Sequence, residues 1–146
     1  MDLMKKYTDA IQSFHEANRL AAEASYTFSQ IFRAKADDLS RIGELHVLFE
    51  KVSSENGFHA DGRNNDKQFV FAVLHLYSPA SLCGGGINKR LRRAIASALG
   101  VRADTAVYKM RSTAVSWYDT YPLFHSECNV AVKALSEHLG IVEDLN

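Results

Sequence analysis

Apolar residues recur every three or four positions along most of the chain, and that spacing predicts helix over nearly all of it. Met4, Tyr7, Ile11, Phe14, Ala21, Phe28 and Phe32 line one face of a helix over residues 3–36, with Asn18 and Ser25 as polar breaks in the seam. A helix this long must bury its stripe under the rest of the chain or against another copy. The polar breaks weaken the heptad pattern, so a long first core helix is preferred to a dimerisation coiled coil. Asp37-Asp38 can cap a second helix, whose apolar positions are Leu39, Ile42, Leu45, Phe49 and Val52, and Gly57 supplies its stop.

Residues 57–66 have the composition of an exposed loop. Residues 67–77 are so densely apolar that periodicity alone fits a buried strand or a fully buried helix; length and helical surroundings favour helix, ended by Ser78-Pro79. Gly84-Gly85-Gly86 forms a loop before another helix, with Leu91, Ile95, Ala98 and Leu99 on one face and Gly100 as its end. Asp104 or Thr105 can cap the next, whose stripe runs through Val107, Met110, Ala114, Trp117, Tyr118 and Tyr121 to Pro122. A last helix over residues 127–139 is opened by Ser126 and closed by Gly140. The aromatic residues near 117–125 are read mainly as core, since they fall at helical spacing. The fold class expected is therefore all-α, a helical bundle with long N-terminal helices.

Length and composition change this picture little. A chain of 146 residues with 47% hydrophobic and 23% charged residues is ordinary for one domain. Within 1–146, residues 1–56 read as a helical scaffold or oligomerisation region, 67–121 as a basic core and 126–140 as a C-terminal helix. Two cysteines, Cys83 and Cys128, are too few for a disulfide framework and are read as small core residues in a reducing cytoplasm. The N-terminal residues lack the apolar stretch of a signal peptide, and no apolar run is long enough to span a membrane.

Charge changes the picture more. The formal net charge is zero. Residues 1–66 carry 8 basic and 11 acidic side chains, 67–118 carry 8 basic and one acidic, and 119–146 carry one basic and five acidic. The balances are −3, +7 and −4, so neutrality is a cancellation between segments.

Within the basic segment, Ala96, Gly100, Val101 and Asp104 or Thr105 have the spacing of a small helix-crossing residue, a turn glycine, a following apolar residue and an N-cap. Residues 87–121 thus resemble a helix-turn-helix DNA-binding unit. Val107 comes about one residue later than the usual spacing of that motif. The resemblance implies double-stranded DNA as partner, with Lys89, Arg90, Arg92 and Arg93 holding phosphates and Arg102, Thr105, Tyr108, Lys109 and Arg111 available on or before the second helix. It implies a bacterial or phage regulator, and the N-terminal helix is the expected seat of a homo-oligomer. The run at 69–79, the triple glycine and residues 91–100 are also loosely similar to small proteins of gut Bacteroidetes and their phages and mobile elements. That similarity keeps open a virion or assembly protein, or a small-terminase-like helical oligomer.

Enzyme chemistry is not expected. Six histidines are scattered singly, which gives no metal-ligand spacing, and residues 84–89 lack the ending of a phosphate loop. Ser81 and Cys83 have no identifiable base. No cofactor is expected.

Overall fold

The computed structural model describes residues 2–31, 33–58 and 62–142. Among these residues all regular structure is helical and no strand forms. In chain order the helices are α1 (Leu3–Ile31), α2 (Ile42–Glu55), α3 (Gly62–Tyr77), α4 (Lys89–Leu99), α5 (Ala106–Thr120) and α6 (Pro122–His138), with short 3-10 turns at Leu39–Arg41 and Pro79–Cys83. The chain divides into two compact units, Met1–Arg33 and Ala34–Asn146.

The first unit is α1. It ends about five residues before the sequence pattern does; Phe32 of that pattern lies outside the described residues. Every described side chain from Asp2 to Thr27 is exposed, including Leu3, Met4, Tyr7, Ile11 and Phe14. On its polar side Arg19 pairs with Glu16 at 2.5 Å and Glu23 at 2.7 Å, one turn away in each direction.

The second unit is organised around α3. The residues whose apolar density left helix and strand open are helical, and Gln68 through Leu74, Leu76 and Tyr77 leave almost no exposed side except His75. The reason is position: α3 packs on α5 and α6 and also meets α2 and α4, so it must be apolar nearly all round. Its end is held by the segment that precedes α2, about forty residues earlier in the chain. The amides of Lys35 and Ala36 both donate to the Leu76 carbonyl, at 2.8 and 3.0 Å, and the Tyr77 hydroxyl donates to the Asp38 carbonyl at 2.8 Å. Phe49 of α2 completes the core against Phe69 and Phe58, with ring centroids 5.5 and 6.1 Å away.

Three helix starts in this unit differ from those read in the sequence. Asp38 caps only the 3-10 turn at Leu39–Arg41, and α2 begins at Ile42 without a side-chain cap. Helix α3 starts at Gly62, inside the stretch read as loop, so Asn65 and Asp66 are helical. Helix α6 starts at Pro122, not after Ser126. A proline at the first helical position loses no hydrogen bond, and the Ser126 hydroxyl donates back to the Pro122 carbonyl at 3.0 Å from within the helix. The extra turn buries Phe124. Gly57, Gly100 and Gly140 all carry positive φ where helices end, as their spacing suggests.

Candidate nucleic-acid interface

Asn88 opens α4 by accepting the Arg90 amide on its side chain at 2.9 Å, a cap that the sequence reading passed over although Asn is among the favoured residues there. At the other end Gly100, at φ 70°, lets the Val101 amide reach the Ala96 carbonyl at 2.9 Å and its own amide reach Ser97 at 3.2 Å. Leu91, Ile95 and Ala96 are buried. The exposed positions Lys89, Arg90, Arg93 and Ser97 therefore form a row along the outer side of the helix.

Six residues, 100–105, separate α4 from α5. The expected side-chain cap of α5 is not made. Thr105 occupies the capping position without a side-chain bond to the helix, and the Asp104 carboxylate instead faces Arg92, at 3.3 Å. The turn closes through backbone bonds three residues apart, from Ala106 to Ala103, Val107 to Asp104 and Tyr108 to Thr105. At the cap and along α5, Thr105, Lys109, Ser112 and Ser116 are exposed, while Val107 and Ala114 are fully buried.

The eight residues singled out in the sequence fall into two sets. Arg92 and Arg111 are tied into the fold. Arg92 donates to the Ile87 carbonyl at 2.8 Å and to the Tyr108 hydroxyl at 3.0 Å, and its guanidinium lies 5.0 Å from the Tyr108 ring. Arg111 donates to the carbonyls of Gly85 at 2.6 Å and Ser81 at 3.2 Å and lies 5.2 Å from the same ring. These two arginines thus pin the glycine loop and the start of α4 to α5. Lys89, Arg90, Arg93, Arg102, Thr105 and Lys109 are exposed. Arg93 and Arg102 line one shallow concavity of about 390 Å³ with Ala96, Ser97, Val101 and Asp104.

Electrostatically, Asp104 is the single acidic residue of 67–118, and it is engaged by Arg92. Asp104 shares the concavity of Arg93 and Arg102, and Asp37 lines a second one with Arg90, so basic side chains outnumber acidic ones around this surface without standing alone.

Tyr108, expected on the exposed half of the second helix, is instead half-buried and bonded into the fold. Its hydroxyl receives the Ile87 amide at 3.3 Å as well as Arg92. The aromatic group around Trp117 packs as expected in part. Phe71, Tyr118 and His125 stack in sequence at 4.3 and 4.0 Å, and Phe124 is buried, while Tyr121 remains exposed. Lys67 sits 4.4 Å from the Trp117 ring.

Of the cysteines, Cys128 is buried, and burial pushes its thiol well above the usual range, which keeps it protonated; Cys83 is exposed. Among the described residues no group of three or more His, Cys, Asp or Glu is placed to hold a metal ion, and no helix is long and apolar enough to cross a membrane. No protein-family model, curated protein or solved structure matches this chain.

Proposed function

We propose that this protein binds duplex DNA through the outer row of α4, the 100–105 turn and the exposed half of α5, in the manner of a helix-turn-helix regulator of a bacterium or phage. The observation that carries this reading is the fate of the charges. Between residues 89 and 111 the one acid is paired with a half-buried arginine, while Lys89, Arg90, Arg93, Arg102 and Lys109 are exposed. Support comes from buried Ala96 and the Gly100 turn, at the places where such a unit has its small crossing residue and its turn glycine, with a turn longer than the common three or four residues. In this reading Lys89, Arg90 and Arg93 hold phosphates, and Arg102, Thr105 and Lys109 approach the groove. Arg92 and Arg111 position the two helices.

Five exposed cations each neutralising one phosphate predict a log–log salt slope of about −4.5, or roughly a 500-fold loss of affinity between about 50 and 200 mM salt. Fluorescence anisotropy with labelled random-sequence duplex measures it. Reversal of Arg90, Arg93 and Lys109 to Glu, all exposed and so harmless to the fold, is expected to abolish binding at about 100 mM salt. Equal binding by parent and triple variant, or none by either at any salt, rejects the reading.

The second reading, a virion or assembly protein, is favoured by the exposed apolar stripe of α1. A helical assembly of that kind would form rings or larger particles and would be indifferent to the triple reversal.

A further inference from the structure

The face of α1 has a layout that the spacing of its apolar residues does not by itself reveal. With Met4 as position a of a heptad, Tyr7, Ile11, Phe14, Asn18 and Ala21 occupy the a and d seam without a break in register. The flanking e and g positions hold Thr8, Ala10, His15, Ala17, Ala22 and Ala24, with no Asp, Glu, Lys or Arg. All seven such residues between 2 and 23 fall at b, c or f. The helix is 29 residues long, four heptads and about 43 Å. Its seam is open to solvent, with Met4 71% and Phe14 65% exposed. The part of the seam before its polar a positions Asn18 and Ser25, from Met4 to Phe14, is an open apolar patch of a kind uncommon on a monomer surface.

We infer that this face is a parallel, in-register, two-stranded coiled coil with a second copy of the same chain. Asn18 is the deciding residue. At an a position in a parallel pair it faces Asn18 of the other copy, so each amide can donate to the other, an arrangement that favours two strands and one register. In an antiparallel pair it would face a d residue such as Phe14 or Ala21, and its amide would be desolvated without a partner. The uncharged flanks place no like charges across the seam between identical helices. A membrane surface is a poor occupant, because the polar face carries four acids, Asp2, Asp9, Glu16 and Glu23, against three bases, and anionic lipid calls for a basic one. This inference stands independently of the DNA reading, since it uses no residue beyond α1.

Light scattering on the full chain at about 10–200 μM tests it. The expected mass is twice that of the chain. The double variant Ile11→Asp, Phe14→Asp, at exposed positions where folding of the second unit is not at stake, is expected to weaken association by about a hundredfold or more and to elute at the chain mass. Asn18→Leu is expected to mix in higher oligomers. Tyr7→Cys in a Cys83→Ser background is expected to form an interchain disulfide under mild oxidation, because equivalent d positions meet only in a parallel pair. A monomeric parent at 200 μM, a trimer or ring, a dimer untouched by the double variant, or absence of the Tyr7→Cys crosslink each overturns the inference. None of these outcomes touches the DNA measurement.

Discussion

The Tyr108 hydroxyl lies 3.0 Å from Arg92 Nη1, and that same nitrogen donates to the Ile87 carbonyl at 2.8 Å. One half-buried contact therefore joins α5 to both the start of α4 and the glycine loop. Tyr108→Phe removes the hydroxyl and is expected to cost about 1 kcal/mol; Arg92→Ala also strips a partner from Asp104 and is expected to cost about 1–3 kcal/mol. Arg93→Ala, one position along on the exposed row, is expected to stay within about 0.5 kcal/mol. Urea unfolding measures all three. Equal costs for Arg92 and Arg93 would show that the division between tied and outward arginines is wrong.

Gln68 and Glu127 meet at the centre of the contact between α3 and α6, where the Gln68 amide donates to the Glu127 carboxylate and Gln68 is only 1% exposed. The Gln68 amide oxygen is buried and has no hydrogen-bond partner among the described residues. Glu127→Ala leaves a buried amide unpaired and is expected to destabilise by about 1–3 kcal/mol. The pair Gln68→Leu, Glu127→Leu removes both polar groups at similar volume and is expected to cost less than the sum of its single changes. Additive costs in a double-mutant cycle by urea unfolding would mean that the two side chains do not interact.

Two glycines give opposite expectations for the same substitution. At Gly100 a Cβ would meet nothing within 4 Å, but φ is 70°, so Gly100→Ala is expected to cost about 1–2 kcal/mol from backbone strain alone. Gly43 lies within α2, also with nothing within 4 Å and with no positive φ, so Gly43→Ala is expected to stabilise by about 0.5–1 kcal/mol. Thermal unfolding of the two variants side by side checks the signs. A neutral Gly100→Ala would remove the conformational reason for glycine at this turn.

Gly100 was legible in the sequence because a chain reversal after a helix needs a left-handed residue, and glycine is its usual form. The helical periodicity was legible for the same local reason, and α4 and α5 stand close to where their stripes placed them. The start of α6 was not, because Pro122 and Ser126 are both good helix-opening residues and only the burial of Phe124 decides between them. The basic cluster was legible as a count, 7 cations against one acid over residues 89–111. What the count hides is which cations are already bound. Arg92 and Arg111 are held by carbonyls of Ile87, Gly85 and Ser81, and a backbone carbonyl has no sequence signature. The open stripe of α1 was visible as a pattern, but exposure depends on what the rest of the chain does.

Acid sensitivity is expected to centre on Glu44. Its carboxylate is held by Arg41, with Nε 3.2 Å away, and by His138 Nε2 at 2.7 Å, so it links the start of α2 to the end of α6. The hydrogen bond from Arg41, followed by the one from His138, lowers its pKa from 4.5 to about 2. A carboxylate with a depressed folded pKa contributes stability that is fully present above its unfolded value and is lost as pH falls through the folded one. The window is therefore about pH 4.5 down to 2. Because the group is exposed, the amplitude is expected to be small and to shrink with added salt. Urea midpoints measured across that window should fall for the parent and fall less steeply for Glu44→Gln. Parallel pH profiles for the two proteins would place the acid sensitivity elsewhere in the fold.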